Sequence, residues 1–115
     1  MKIYNELESL GFFEWLKEKG FGSGFTPIIL DAQPFDSIER GGYNAIAFRW
    51  FREKYNLYHF VTREIGVNTS DIFFVASFYK GKKGNSPRNT CISSKTYEEA
   101  ELECLKKLIE IINFK

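Results

Sequence analysis

The sequence is short of cysteine, histidine, proline and net charge, and each shortage removes a class of protein. There are two cysteines, Cys91 and Cys104, thirteen positions apart. A small secreted domain stapled by disulfides would carry more, so this count fits reduced, buried thiols in a reducing compartment. One histidine, His59, completes the set of soft ligands. A structural zinc site needs about four Cys or His at tight spacing, so no metal is expected. No apolar run approaches the ~18 residues of a membrane-spanning helix. Glu6 and Glu8 stand where a signal peptide needs apolar residues, which makes the cytoplasm the expected location. Sixteen Lys and Arg against fifteen Asp and Glu leave a net charge of +1, so no global field draws in nucleic acid or membrane. Phosphate-binding and calcium-binding fingerprints are absent as well. "GFGSG" (20–24) is rich in glycine but lacks the Lys-Ser/Thr that would hold phosphate and Mg²⁺, and no cofactor is expected.

What the chain has in quantity is apolar and aromatic residues. Of 115 residues 43% are hydrophobic and 17% aromatic, with twelve Phe, six Tyr and two Trp. That composition excludes disorder over most of the length and suits one domain, residues 1–115, with a sizeable core.

Asn5 is placed to cap a helix beginning at Glu6, with Leu7, Leu10 and Phe13 at helical spacing. Gly11 sits inside this segment and is expected to split it in two. Lys17, Lys19 and Gly20 mark its end. "TPIILD" reads as a short strand, and "AQPFDSIERGGY" as a loop around Pro34, Asp36 and Gly41–Gly42. Asn44 then caps a second helix, "NAIAFRWFREKYN", with Ala47, Trp50, Phe51 and Tyr55 as its buried stripe. "LYHFVTREI" (57–65) and "DIFFVASFYKG" (71–81) read as strands. The second is apolar on both faces, as a central strand would be. "TCISS" is a short third strand. "TYEEAELECLKKLIEII" (96–112) opens on a capping box, Thr96 with Glu99, and carries acids early and lysines late. Glu103 and Lys107 are spaced for an i,i+4 pair. Its apolar arc spans roughly 200° at 100° per residue, a face for lying across a sheet.

The expected fold is α+β. A three- to four-stranded antiparallel sheet carries helices on one face, with 1–43 as a helical extension and 44–113 as an α-β-β-β-α unit. In order and size of elements that unit resembles the double-stranded-RNA-binding domain. The family's basic cluster at the start of the last helix is replaced here by Glu98 and Glu99, and the loop "GVNTSD" lacks the family's Pro and His. The resemblance therefore implies a topology and not RNA binding through that surface. "RWFREKYNL" and the closing "TYEEAELECLKKLIEI" are also similar to short proteins encoded by phages and mobile elements of gut bacteria. This resemblance implies an accessory role and transfers no catalytic motif.

Four features could carry chemistry. Cys91 and His59 could pair as nucleophile and base, although a core cysteine is ordinarily inert. Glu98, Glu99, Glu101 and Glu103 are carboxylates on one helix, which capping and solvation explain better than hydrolysis from two walls of a cleft. Glu101 is the exception: it projects into the apolar arc, and is expected to overhang the sheet's end or to be held by Arg49 or Arg63. The loop "KGKKGNSPRN" holds Lys80, Lys82, Lys83 and Arg88 with no acid, a candidate contact for phosphates or a partner. Phe12, Phe13, Phe48, Arg49 and Arg52 combine the residue types enriched at protein interfaces. The balance favours a non-enzymatic protein that binds another protein or itself. Nucleic acid through the 80–88 loop ranks second, an enzyme around Cys91 and His59 third, and no membrane association is expected.

Overall fold

The structure is a computed structural model that describes residues 2–21, 25–35, 37–66, 71–80 and 89–113, with the backbone alone at Glu39 and at 89–93. The chain is α+β with an antiparallel sheet, and it divides into two compact units, Met1–Trp50 and Phe51–Lys115. The expected boundary at 43/44 falls inside a continuous helix.

The first unit is helical: α1 (Ile3–Ser9), α2 (Phe12–Glu18), α3 (Pro27–Ala32) and the larger part of α4 (Ile38–Tyr55). Gly11 separates α1 from α2 as its position suggested. It adopts φ 95°, a left-handed conformation that costs glycine little. Asn5 does not cap α1, which starts earlier, at Ile3. The cap comes from elsewhere in the chain: the Asp31 carboxylate accepts the N–H groups of Tyr4 (2.9 Å) and Asn5 (3.0 Å). That satisfies two of the donors a helix start leaves open, with a negative charge at the favourable end of the dipole.

"TPIILD" is a helix and not a strand. Thr26 Oγ1 accepts the Ile29 N–H at 3.3 Å, and Pro27 occupies the first helical position, where its missing N–H costs nothing. Ser37, and not Asn44, caps α4: its hydroxyl accepts the Arg40 N–H at 3.2 Å and its carbonyl the Gly41 N–H at 2.8 Å. The glycine pair thus lies inside the helix, against its propensity. Asn44 is buried in α4, where Oδ1 accepts the Tyr4 hydroxyl and Nδ2 donates to the Phe35 carbonyl at 3.4 Å. Arg40, also buried, lies over the rings of Tyr4 (5.4 Å) and Phe35 (5.2 Å), donates to the Gln33 carbonyl at 2.8 Å and stands 4.0 Å from Asp31. Around this network Ile3, Leu7, Phe12, Leu16, Leu30, Ala47, Phe48 and Trp50 are buried.

In the second unit β1 (Leu57–Ile65), β2 (Ile72–Lys80) and β3 (Asn89–Ser94) pair antiparallel in the order β1-β2-β3. The register pairs His59 with Phe78, Val61 with Ala76 and Arg63 with Phe74, so these share one face. Tyr58, Phe60, Thr62, Phe73, Val75, Ser77 and Tyr79 take the other. The helix α5 (Tyr97–Asn113) lies on the first face, burying Ala100, Cys104, Leu105, Leu108 and Ile109, with the Tyr97 ring edge-on to Phe74 at 6.2 Å. Thr96 caps it as expected, accepting the Glu99 N–H at 3.1 Å. The charged pairs along α5 are spaced i,i+3, Glu103 with Lys106 and Lys107 with Glu110, in place of the expected Glu103–Lys107.

Two predictions follow from the first unit. A Cβ at Gly41 or Gly42 meets nothing within 4 Å, so Gly41→Ala and Gly42→Ala should each raise unfolding stability by up to about 1 kcal/mol in urea melts. A loss of stability in both would show that the glycines meet a backbone need. Burial lifts the Tyr4 hydroxyl far above the ordinary 10.0; Arg40 pulls it down, while Asp31 and Tyr43 add to the rise. A raised folded value means that this contribution is complete below about pH 10 and is lost as pH climbs toward the folded value. Stability should therefore fall above pH 10 more steeply in the native chain than in Tyr4→Phe. Parallel alkaline limbs in urea titrations would contradict it.

Candidate functional site

The junction of α4 and β1 forms a cleft of about 560 Å³, lined by Arg52, Glu53, Lys54, Asn56 and Tyr58. Its geometry follows from Asn56, whose φ of 58° places it in the left-handed region that asparagine tolerates better than most residues. The Asn56 N–H still closes on the Arg52 carbonyl at 3.2 Å, ending the helix, and the next residue is already in β1. One left-handed residue therefore separates the helix from the strand. It sets the cations of the last helical turn beside Tyr58, the first outer-face residue of the strand. Tyr58 lies parallel to its cross-strand partner Tyr79, centroids 5.4 Å apart at 13°, and Phe60 is 6.3 Å from Tyr79. All three are half-buried, on the sheet face away from α5, and exposed Lys80 follows Tyr79.

On the α5 face the structure brings together His59 and Glu101. His59 Nε2 is 3.6 Å from Glu101 Oε2, with the two side chains 15% and 20% exposed. That is an ion-pair distance, longer than a hydrogen bond. Glu101 thus neither overhangs the sheet's end nor meets Arg49 or Arg63; its partner is the histidine of the strand beneath it. Burial, then Glu101 and Glu98, raise the hydroxyl of Tyr97 one turn earlier on α5. A carboxylate beside an imidazole can orient a base, but the nucleophile proposed from sequence, the Cys91 side chain, lies outside the described residues. Cys104 is a reduced thiol buried in the α5 core.

The other residues singled out from sequence divide cleanly. Phe12 and Phe48 are core and not interface, 0% and 2% exposed. Phe13 is half-buried, its ring edge-on to Phe12 and Tyr4. Arg49 is exposed, with its guanidinium 5.9 Å from the Trp15 ring and 5.8 Å from Phe21. Arg52 lines the cleft. Of the basic loop Lys80 alone is described; Lys82, Lys83 and Arg88 lie outside. Sequence reasoning missed a different surface. Ile28 and Ile38 are 81% and 91% exposed, and Ile28 borders a recess of about 310 Å³ with Lys2, Asn5, Asp31 and Ala32. The Thr26-Pro27 start signal would have turned "TPIILD" into a helix with Ile28 on its outer side.

Comparison with protein-family models, with curated proteins and with solved structures found no match to any of them. Among the described residues no three His, Cys, Asp or Glu side chains gather as a metal site would require, and no helix is long and apolar enough to cross a membrane.

The His59–Glu101 pair predicts a double-mutant cycle. His59→Leu alone should destabilise by about 1–3 kcal/mol, because Glu101 is left against the apolar helix face without its partner. Adding Glu101→Leu should recover most of that loss, since an apolar pair of similar size suits the same place. Strict additivity of the two changes in chemical denaturation would show that the residues do not interact.

Proposed function

We propose that this chain is a non-enzymatic accessory protein that works by binding another protein through the surface around α3. The carrying observation is the exposure of three large aliphatic side chains of the first unit, Ile28 and Ile29 on α3 and Ile38 at the start of α4. Isolated apolar residues on a surface are ordinary, but Ile28 also borders a recess with polar groups at its rim, Lys2, Asn5 and Asp31. An apolar centre with a polar rim is the anatomy of a protein interface. The resemblance to short phage and mobile-element proteins supports an accessory role, with the cytoplasm as its setting. The fold that goes with this reading is a sheet of three to four strands with helices packed on one face. Self-association through the same surface is the second form of the proposal.

Ile28→Glu with Ile38→Glu should abolish the interaction and leave the fold intact. The expected result is that one protein captured from the native cell by the wild-type chain, or the chain's own dimer in sedimentation, is lost in the double variant while the urea midpoint is unchanged. Identical capture and identical sedimentation for the two chains would overturn the reading.

A further inference from the structure

The cleft between α4 and β1 shares no residue with the α3 surface and has a chemistry of its own. We propose that it takes a nucleotide of an unpaired nucleic-acid strand, with the base continuing the Tyr58–Tyr79 stack and the phosphates on Arg52 and Lys54.

Three observations converge on this. The first is the ring arrangement. Tyr58 and Tyr79 are parallel within 13° with their centroids 5.4 Å apart, and Tyr58 itself lines the cleft, so a flat ring entering there meets an aromatic ring that already has another behind it. Base–aromatic stacking tolerates any sequence because every base has a π-face. The second is charge. Arg52 and Lys54 line the cleft, two cations against the single carboxylate of Glu53. The partial negative charge at the end of α4, about half an elementary charge, does not cancel that excess. The third is the continuation beyond the cleft. Phe60 stands next to Tyr79 on the same face, offering a further apolar ring along the strand direction. The cleft has no glycine-rich phosphate loop and no deep enclosure, so it is better suited to one unit of a chain held at several points than to a free mononucleotide. A duplex hides its base faces in its own stack and is excluded on the same ground.

Fluorescence anisotropy of the full chain with a labelled ten-nucleotide oligouridylate tests this. Binding is expected at 50 mM salt. With two phosphate contacts the log–log salt slope should be about −1.4, a loss of roughly sevenfold between 50 and 200 mM salt. Tyr58→Leu keeps an apolar strand residue and should weaken binding roughly tenfold. Arg52→Gln with Lys54→Gln, both outside the core, should weaken it further and flatten the slope, and circular dichroism should report an unchanged fold in each variant. The duplex of the same sequence and uridine monophosphate should bind far more weakly. The proposal is overturned by no binding at 50 mM salt, by equal binding of the duplex, or by equal binding of a polyglutamate peptide, which would make the cleft a site for acidic proteins. It is also overturned if both cleft variants bind as the native chain does while Lys82→Gln with Lys83→Gln abolishes binding.

Discussion

The helix α4 has to hold its shape through Gly41 and Gly42, and much of the molecule depends on how it does so. Glycine at two successive interior positions costs about 2 kcal/mol of helix stability against alanine, enough to end a helix that had only its own hydrogen bonds. The deficit is offset by residues on either side of the pair. Ser37 caps the start, and Arg40 and Asn44 are both buried and both bonded to other segments. The residues that line the cleft, among them Arg52, Lys54 and Tyr58, all lie in the second unit. A break at the glycines would release the network that Arg40 and Asn44 make within the first unit.

Burying an arginine and an asparagine is expensive unless their polar groups are answered. Here most are. The Arg40 guanidinium lies over two aromatic rings, donates to a carbonyl and faces Asp31, while its Nε has no hydrogen-bond partner among the described residues. Asn44 uses both ends of its amide. These bonds are directional, unlike the surrounding apolar packing, so they fix which helix lies against which and at what rotation.

The sheet and α5 were legible in the sequence, and the helices around α3 were not. β1 and β2 are runs of nine residues rich in β-branched and aromatic side chains, and α5 has a cap, a charge gradient and a wide apolar arc that all agree. Local signals suffice when they all favour the same state. Around α3 they conflict. An Ile-Ile-Leu run looks like a strand, and a Gly-Gly pair looks like a turn. The deciding contacts come from Asp31, Arg40 and Asn44 acting on segments far along the chain. The cleft stayed hidden for a similar reason: Arg52 was singled out, but its association with Tyr58 depends on one left-handed residue. Glu101 stood out as a misplaced acid from sequence alone. Its partner did not, because which strand residue lies beneath a given helix turn is set by docking that no single-sequence pattern encodes.

Asp31 has a consequence for the order in which the chain becomes structured. A seven-residue helix is unstable by itself in water, and α1 has no capping side chain of its own. Its open N–H groups wait for a carboxylate 27 positions later, and the Tyr4 hydroxyl for an amide 40 positions later. During synthesis the first helix in the sequence therefore cannot be the first to settle. The beginning of the chain stays unstructured until α3 and the start of α4 have emerged to receive it.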